Sequence, residues 1–267
     1  MKWGDILSDK VILILCDGLR PDSVESCKNP FVKTLMGTCR YCGKVQTVFP
    51  SYTLPCHMSL MHSRKPDEHG VTGNIFVPSE NGRHGLFEQL RDFKKNSAFF
   101  YSWGELRDIC EPSSLSFGSF ISSAVFGGEK AGELLSEKAV SFINEYLPDF
   151  AFLYLENTDI VGHMCGWESE EYEKAVDKSF GLIEKVLANI PYCYSFFITA
   201  DHGGHGFDHG TDSAADMTIP LFVKAPSKEI DEAAFAGANI IDIAPSICDI
   251  LGIPPSKNFR GKSLFKQ

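Results

Sequence analysis

Three short apolar runs in this chain lead into acidic residues. The runs and their aspartates are residues 11–16 with Asp17, residues 150–155 with Asp159, and residues 196–200 with Asp201. Continuous apolar runs of this length are typical of strands that are buried on both faces of a parallel sheet. Because the ligand sites of open parallel sheets lie beyond the carboxyl ends of the strands, we expect the three aspartates to lie at one edge of the sheet.

Strand and helix patterns alternate along the rest of the chain, without an internal repeat or a low-complexity linker. Further strands are predicted at residues 45–49, 98–101 and 219–223. Helices are predicted at residues 30–35, 54–61, 86–95, 129–146, 168–188 and 240–251. This order predicts an α/β fold of three layers, in which helices cover both faces of a central, mostly parallel sheet. We expect residues 1–267 to form a single domain.

Residues 103–128 interrupt this alternation. Their mixture of serine, glycine and phenylalanine has no clear period. Loops of this length inside a compact domain are often lids or binding loops, so a substrate-binding loop is one interpretation. An irregular excursion over the surface is the other, and the pattern favours neither.

Composition limits the classes of function. Of the 267 residues, 43% are hydrophobic and 12% are aromatic, and the net charge of −10 includes no block of like charges. The chain can therefore form a large core, and it lacks the basic surface that a nucleic-acid polymer would require. A small phosphorylated molecule held by metal cations is compatible with this charge. No apolar stretch reaches membrane-spanning length, so we expect no membrane partner, and the oligomeric state stays open.

The cysteines and the amino terminus favour a location in the cytoplasm. Nine cysteines are an odd number, and the one close pair, Cys39 and Cys42, lacks the second pair that a zinc ribbon needs. We interpret them as reduced thiols, which is typical of a reducing compartment. No hydrophobic signal region precedes the first predicted strand.

Histidines accompany two of the three aspartates. His163 lies four residues after Asp159, so a helical turn would place both side chains on one face. His202 directly follows Asp201, and His209 comes shortly afterwards. An acid and an imidazole at the end of an apolar strand are costly to bury unless they are paired or bound to a metal.

Each of these residues alone has an ordinary structural explanation. Asp17 precedes a glycine and could be a turn residue, Asp159 could cap a helix, and His163 could be a surface side chain. Together they form the mixed oxygen and nitrogen ligand set of a divalent transition metal, most naturally zinc. The chain is therefore predicted to be a metalloenzyme.

A hydroxyl group at a predicted helix start is the candidate nucleophile. Thr53 suits the N-cap position, and Pro55 lies in the first turn, where a missing N–H group costs nothing. Free backbone N–H groups and the helix dipole favour an anion at this place, including a phosphate. Thr53 could be an ordinary cap, but a divalent cation beside it would make its hydroxyl much easier to deprotonate.

Five motifs follow one another along the chain: LCDGLR at 15–20, FPSYTLP at 49–55, HGVTGN at 69–74, DIVGH at 159–163 and DHG at 201–203. His209 follows the last motif, and segments of the tail lie at 242–246, 251–254 and 261–264. Their order and spacing resemble the alkaline phosphatase superfamily, and within it the nucleotide pyrophosphatase/phosphodiesterase branch. The resemblance covers most of the chain. It implies an alkaline phosphatase-like catalytic domain that hydrolyses phosphodiester or pyrophosphate bonds in nucleotide-type substrates.

The resemblance also implies roles for individual residues. One metal would be held by four of them, Asp17, Thr53, Asp201 and His202. The other would be held by three, Asp159, His163 and His209. Thr53 would attack phosphorus in line and form a phosphothreonine intermediate, and Asn74 would donate its amide to a non-bridging phosphate oxygen. The second metal would stabilise the leaving oxygen and then activate water. The two ions would be zinc, although manganese is possible.

Residues outside these roles are candidates for contact with the substrate. His57 lies one helical turn after Thr53, where it could touch a substrate or pack in the core. Three aromatic side chains could stack on a base or an aryl group: Phe76, Tyr101 and Trp103. We expect His205 to lie beside the site or on the surface rather than to bind a metal.

Competing functions are compatible with the same motifs. A phosphomonoesterase would use the same metals, but its substrate carries an extra negative charge, and no basic residue follows Thr53 before Arg64. A sulfatase is disfavoured because residues 53–57 lack a Cys/Ser-x-Pro-x-Arg motif. A metal-dependent phosphomutase would ordinarily need a larger inserted domain. A zinc-stabilised binding protein is the non-enzyme alternative, but it would not need Thr53 and Asn74.

Overall fold

The computed structural model describes residues 9–75, 77–78 and 84–267. Within these ranges seven strands form one sheet, and they are β1 (Lys10–Cys16), β2 (Arg40–Gln46), β3 (Ser97–Tyr101), β4 (Phe117–Phe120), β5 (Phe150–Leu155), β6 (Tyr194–Thr199) and β7 (Thr218–Lys224). Their order in the sheet is β2-β7-β6-β1-β5-β3-β4. The strands from β6 to β4 are parallel, whereas β7 is antiparallel to β6 and β2 is antiparallel to β7. The prediction of a mostly parallel sheet is confirmed.

Twelve α-helices lie in the described ranges: α1 (Pro21–Glu25), α2 (Pro30–Thr38), α3 (Thr53–His62), α4 (Pro66–His69), α5 (Leu86–Asp92), α6 (Ser123–Phe126), α7 (Gly128–Tyr146), α8 (Asn157–Cys165), α9 (Glu170–Asn189), α10 (Ala214–Met217), α11 (Glu232–Ala236) and α12 (Ile243–Ile250). Helices α7, α8 and α9 contact one another, and so do α3, α5 and α12. Every residue of β1, β5 and β6 is buried, so both faces of the sheet are covered. The predicted three-layer α/β/α architecture is confirmed.

Helix α9 illustrates how the sequence pattern produces this packing. Its apolar residues recur with helical spacing, and Tyr172, Val176, Phe180 and Ile183 are buried. The Ser169 side chain caps the helix by accepting a hydrogen bond from the Tyr172 N–H group. Full burial of each large apolar side chain contributes about 1.5–3 kcal/mol relative to an exposed one. The helix therefore covers one face of the sheet behind the central strands.

The strand predicted at residues 45–49 is displaced in the structure. Strand β2 begins at Arg40 and ends at Gln46, at the edge of the sheet, and all its residues except Val45 are at least partly exposed. An edge strand that is exposed in this way carries little apolar signal, which explains why its first half was missed. Residues 47–49 leave the sheet instead, and the Phe49–Pro50 peptide bond that follows is cis.

Residues 103–128 contain regular structure that the sequence did not predict. Strand β4 lies in this segment and pairs in parallel with β3 at the edge of the sheet. Two 3₁₀ turns precede it, Gly104–Asp108 and Pro112–Ser114, and α6 follows it. Partly exposed and exposed residues alternate in β4, in the manner of an edge strand. The expectation of an irregular segment is therefore corrected, and a lid at this place stays a prediction.

Two further observations concern the environment of the chain. All nine cysteines are free thiols, as expected for reduced cysteines. Within the described part of the chain, no helix has both the length and the apolar composition needed to cross a bilayer.

Candidate metal centre

The three aspartates predicted at strand ends lie at the same edge of the sheet. Strand β1 lies between β5 and β6 and is parallel to both. Asp17 directly follows β1, Asp201 follows β6 after one intervening residue, and Asp159 lies in the first turn of α8, which follows β5. Parallel neighbouring strands end at one edge, and their carboxyl ends therefore deliver all three carboxylates to one place.

Asp17, Asp201 and His202 form a first donor group. Their donor atoms lie within 4.8 Å of one another, and all three residues are buried. His202 Nε2 is 3.2 Å from Asp17 Oδ1 and 3.3 Å from Asp201 Oδ2. Thr53 Oγ1 lies 3.1 Å from the same His202 Nε2 atom. The candidate nucleophile is therefore next to the first donor group, as the sequence predicted.

Each carboxylate of the first donor group has one oxygen bonded to the protein and one without a partner. Asp17 Oδ2 accepts a hydrogen bond from the Tyr154 hydroxyl, and Asp201 Oδ1 accepts one from the Gly18 N–H group at 3.2 Å. Asp17 Oδ1 and Asp201 Oδ2 are buried, and neither has a hydrogen-bond partner among the described residues. A buried carboxylate oxygen is costly to leave unpaired, and a bound cation would remove that cost.

Gly18 is required by the backbone of this site. Its φ angle of +64° lies in the left-handed region, which favours glycine. A Cβ atom at this position would lie 3.1 Å from Asp159 Oδ1. A larger residue would therefore strain the loop that carries Asp17 and press on the carboxylate of Asp159.

Asp159, His163 and His209 form a second donor group, whose donor atoms also lie within 4.8 Å of one another. His163 Nε2 is 3.5 Å from Asp159 Oδ2, and His209 Nε2 is 3.6 Å from Asp159 Oδ1. Asp159 and His163 are one turn apart on α8, which gives the shared face that their spacing predicted. The His163 side chain is 40% exposed, whereas Asp159 and His209 are largely buried, so this group is open to solvent only on the side of His163.

The histidines of both groups are held through Nδ1 by backbone carbonyl oxygens. The pairs and their distances are His202 with Gly203 at 2.7 Å, His163 with Phe207 at 2.9 Å, and His209 with Ser51 at 2.9 Å. A carbonyl only accepts, so these contacts assign a proton to each Nδ1. In the neutral ring, Nε2 then keeps its lone pair, and all three Nε2 atoms face the carboxylates. Metal-binding histidines are typically fixed in this way.

Electrostatics within the two groups reflect an excess of buried negative charge. Burial alone lowers the pKa of His202, but Asp201, Asp17 and Asp159 oppose it and raise that pKa to about 10. Burial, and then repulsion by Asp17, raises the pKa of Asp159 well above its usual range. Burial and the neighbouring His202 charge lower the pKa of His209 to about 3. Without a metal, a proton on His202 Nε2 balances part of the negative charge of the carboxylates. The donor set fits divalent cations, which would take over this role from the proton.

Thr53 and Asn74 meet at the amino end of α3. Tyr52, rather than Thr53, is the N-cap residue, so the predicted capping role of Thr53 is wrong by one position. Thr53 is the first residue of the helix and only 5% exposed. Asn74 Oδ1 accepts a hydrogen bond from the Leu54 N–H group at 3.0 Å, which leaves Nδ2 as the donor side of that amide.

The proposed contacts with the substrate find less support. His57 is 0% exposed. The predicted direct contact of His57 with a substrate is therefore wrong, and the side chain is buried behind the site. Tyr101 and Trp103 are partly buried against the core, and the Tyr101 ring stacks on Phe99 with centroids 4.4 Å apart. Phe76 lies outside the described residues.

His205 belongs to neither donor group within the described part of the chain. Its Nδ1 atom lies 2.7 Å from Asp216 Oδ1 instead, which agrees with the expectation of a residue beside the site. The sequence reasoning missed Tyr154, whose hydroxyl holds Asp17. A signal was available, because Tyr154 carries the only polar side-chain group in the apolar run at 150–155.

Comparisons with known proteins agree with this geometry. The family model of the type I phosphodiesterase / nucleotide pyrophosphatase family matches residues 11–246. A 2,3-bisphosphoglycerate-independent phosphoglycerate mutase from Clostridium botulinum is 30% identical over 141 residues, which are 49% of this chain and 26% of the mutase. Human ectonucleotide pyrophosphatase/phosphodiesterase family member 1 is 23% identical over 217 residues, 72% of this chain and 23% of the human protein. The chain thus spans about a quarter of the length of these relatives.

Solved structures with the same fold include two ectonucleotide pyrophosphatases/phosphodiesterases. Human member 5 has a TM-score of 0.77 at 15% identity, and the alignment covers 97% of this chain and 100% of that chain. An inactive variant of the murine protein, with one threonine replaced by alanine and in complex with AMP, has a TM-score of 0.75 at 15% identity with the same coverage. The fold is therefore alkaline phosphatase-like. Since the family model covers most of the sequence, the chain belongs to the type I phosphodiesterase / nucleotide pyrophosphatase family.

Proposed function

We propose that the chain hydrolyses phosphodiester or pyrophosphate bonds in small, nucleotide-type substrates, with Thr53 as the nucleophile. The convergence of two donor groups beside the Thr53 hydroxyl is the observation that carries this proposal. Family membership supports a phosphoric ester hydrolase. The small phosphorylated substrate is the proposed partner, and the net charge of −10 argues against a nucleic-acid polymer.

Two divalent cations are part of the proposal. Four residues would hold the first, Asp17, Thr53, Asp201 and His202, and three would hold the second, Asp159, His163 and His209. When bound, the two cations would supply positive charge that stabilises the phosphoryl oxygens and lowers the pKa of the Thr53 hydroxyl. The mixed carboxylate and imidazole donors favour zinc, and manganese is the alternative.

Thr53 would carry out the covalent step. Its Oγ loses a proton and forms a bond to phosphorus, while the bond from phosphorus to the leaving oxygen breaks. The leaving oxygen takes up a proton and departs with its group as an alcohol or a phosphate. The half-reaction yields a phosphothreonine intermediate that, for a diester or pyrophosphate substrate, still carries the ester group that was not cleaved. Water then attacks the same phosphorus atom, the bond to Oγ breaks, and Thr53 regains its proton. The position of Thr53 as first residue of α3 supports this role, because the helix N-terminus favours the negative charge that develops there.

Asn74 would orient the phosphoryl group. Its Oδ1 atom is held by the Leu54 N–H group, so Nδ2 is the end of the amide that can donate to a non-bridging oxygen. Because the second donor group is partly exposed, water can reach the site from solvent and the leaving group can depart into solvent. The murine structure in complex with AMP supports a nucleotide-type substrate, and its inactive threonine variant supports a threonine nucleophile.

Hydrolysis of bis-p-nitrophenyl phosphate and p-nitrophenyl phosphate, measured after chelation and after addition of zinc, tests the proposal. We expect the diester to be the better substrate and activity to depend on zinc. Thr53→Ala should lower kcat by at least about 10³-fold because it removes the nucleophile, and Thr53→Ser, the matched control, should keep part of the activity. Full activity of Thr53→Ala would remove Thr53 from its proposed role.

Two other functions are distinguished by the same assay. Preference for the monoester would favour a phosphomonoesterase on the same metals, and the mutases among the relatives give this alternative specific support. Zinc binding without hydrolysis of either compound would favour a zinc-stabilised binding protein.

A further inference from the structure

Two buried polar side chains, Tyr154 and His57, lie directly behind the first donor group. Tyr154 is 1% exposed and His57 is 0% exposed. Their rings meet edge to face, with centroids 5.2 Å apart. Neither residue takes part in the covalent step proposed for Thr53, yet each contacts a carboxylate of the first donor group. The energetic cost of burying their polar atoms therefore calls for an explanation.

Tyr154 fixes the orientation of the Asp17 carboxylate, so that one oxygen is hydrogen-bonded to the tyrosine and the other faces the donor cluster. Tyr154 lies in the buried strand β5, and its hydroxyl donates a hydrogen bond to Asp17 Oδ2. Asp17 Oδ1 is thereby left 3.2 Å from His202 Nε2, without a hydrogen-bond partner among the described residues. Rotation of the carboxylate would break the bond to the tyrosine. The orientation of Asp17 thus depends on a side chain that a single substitution can remove.

Asp201 differs in this respect, because the backbone N–H group of Gly18 holds its Oδ1 atom. Its free oxygen is approached from outside the donor group by His57, whose Nδ1 lies 3.4 Å from Asp201 Oδ2. The same Nδ1 atom lies 2.9 Å from the Thr53 carbonyl oxygen. Since a carbonyl only accepts, Nδ1 carries the proton and points between the nucleophile's backbone and the carboxylate.

The other nitrogen of the His57 ring shows the cost of this arrangement. Nε2 is buried and has no hydrogen-bond partner within the described ranges. Buried polar atoms are rarely left unpaired, and an apolar side chain of similar size would avoid the cost. The contact made by Nδ1 is therefore the feature that distinguishes histidine from an apolar residue at this position.

We propose that Tyr154 and His57 are positioning residues of the first metal site. Tyr154 orients Asp17 so that Oδ1 faces the cation, and His57 ties the first turn of α3, and with it Thr53, to Asp201. This inference rests on the metal centre of the proposed function, but it does not depend on which phosphoric ester is cleaved.

Zinc affinity of the full chain tests the role of Tyr154 without an activity assay. We expect Tyr154→Phe to weaken zinc binding at one of two sites by about 10–100-fold, measured by competition with a chromophoric chelator. Tyr194→Phe is the matched control. Its hydroxyl is also buried and donates to the Pro148 carbonyl oxygen at 2.6 Å, at the opposite end of the sheet. This control should bind zinc with the affinity of the wild type.

The outcomes separate three cases. Equal zinc affinity in Tyr154→Phe and the wild type would overturn the inference and leave the proposed function intact. An equal loss in Tyr154→Phe and Tyr194→Phe would also overturn it, because the effect would then reflect general packing. A wild-type chain that binds no zinc would overturn the metal centre itself. Absorption of bound Co²⁺ adds a second readout, and only a change of ligand geometry at the site would alter its spectrum.

His57 is tested by two substitutions of different chemistry, so the inference stays testable if one variant folds poorly. His57→Ala removes the donor at Nδ1, whereas His57→Asn places an amide donor near the same position. We expect His57→Ala to lower kcat about tenfold or more with little change in KM and to weaken zinc binding, and His57→Asn to restore most of both. Equal impairment of the two variants, or no loss in His57→Ala, would overturn the role of His57.

Discussion

The two donor groups contain similar ligands but differ in their surroundings. In the first, Asp17, Asp201 and His202 are buried and their carboxylates are held from behind by the protein. In the second, the His163 side chain is 40% exposed. The rings of His202 and His209 stack with centroids 3.7 Å apart, yet the pKa of His202 is raised to about 10 and that of His209 is lowered to about 3.

The difference has a physical cause and a functional consequence. His202 lies among carboxylates that attract a proton, whereas burial and the positive charge of His202 both lower the pKa of His209. Burial strengthens every interaction in the first group and fixes its geometry around Thr53. We infer that the first group holds the nucleophile in place, while the second lies where the leaving oxygen and water reach the site from solvent.

The largest difference should appear when one ligand is removed from each group. We expect Asp17→Asn to lower kcat/KM by more than about 100-fold. The loss of a residue that merely orients a metal ligand costs about 10–100-fold, and the loss of a ligand itself should cost more. His163→Ala should cost about tenfold at saturating zinc, since water can reach the exposed position. The measurement is hydrolysis of bis-p-nitrophenyl phosphate. Equal losses in the two variants would contradict the distinction between a buried and an open group.

Zinc should stabilise the folded chain, and mostly through the first group. A free zinc concentration of 100 times Kd adds about 2.7 kcal/mol per site to the free energy of unfolding, which corresponds to roughly 5–10 °C in Tm for a chain of this size. Scanning calorimetry with chelator and with zinc measures the shift. Asp17→Asn should lose more of it than His163→Ala. A shift that both variants retain in full would place the stabilising zinc elsewhere.

The opposite pKa shifts of His202 and His209 predict the pH dependence of the metal-free chain. The pKa of His202 is higher in the folded state than its ordinary value of 6.5, so its stabilisation is complete below pH 6.5 and is lost between 6.5 and about 10. The pKa of His209 is lowered from 6.5 to about 3, so it destabilises the fold as pH falls below 6.5.

Denaturant unfolding in chelator at pH 5, 6.5 and 9.5, compared between the wild type and a His202 variant, measures the contribution of the two histidines, which is greatest near pH 6.5. The zinc affinity should rise by about tenfold per pH unit above 7, because zinc displaces one proton from His202. His202→Gln should remove most of the decline between pH 6.5 and 9.5. A decline that persists unchanged in this variant would assign it to another group.

The smallest effect is expected at His205, which lies in the same loop but outside both donor groups. Its Nδ1 atom contacts Asp216, and its side chain is 48% exposed. His205→Gln should leave the zinc affinity within about twofold of the wild type, because His205 belongs to neither donor group and a glutamine amide can still donate to Asp216. Isothermal titration with zinc is the measurement. A tenfold loss would make His205 part of the metal centre.

Much of the fold follows from local patterns. The apolar runs at 11–16, 150–155 and 196–200 predict the central strands because strands buried on both faces have few polar positions. Strands β2 and β4 lie at the edges, where exposed positions weaken that signal, and one was displaced and the other missed. Pairing with a neighbouring strand, which depends on residues distant in sequence, defines both.

The candidate site divides in a similar way. Candidate ligands at the carboxyl ends of strands, such as Asp17 and Asp201, were predictable because topology determines their location. The side chains that hold them are harder to predict: the polar group of Tyr154 in an apolar run indicates a buried partner, but the contact with Asp17 joins residues 137 positions apart. The spacing of His57 from Thr53 allowed either contact with a substrate or packing in the core, and only the tertiary structure shows that its side chain is buried.

Anomalous diffraction at the zinc edge, from crystals of the full chain soaked in zinc, tests the two-metal centre most directly. We expect two peaks, one between Asp17, Thr53, Asp201 and His202 and the other between Asp159, His163 and His209. They should lie about 3.5–4 Å apart, the separation at which paired metals bind both oxygens of a displacement. The absence of both peaks, or their location away from these residues, would contradict the proposed metal centre.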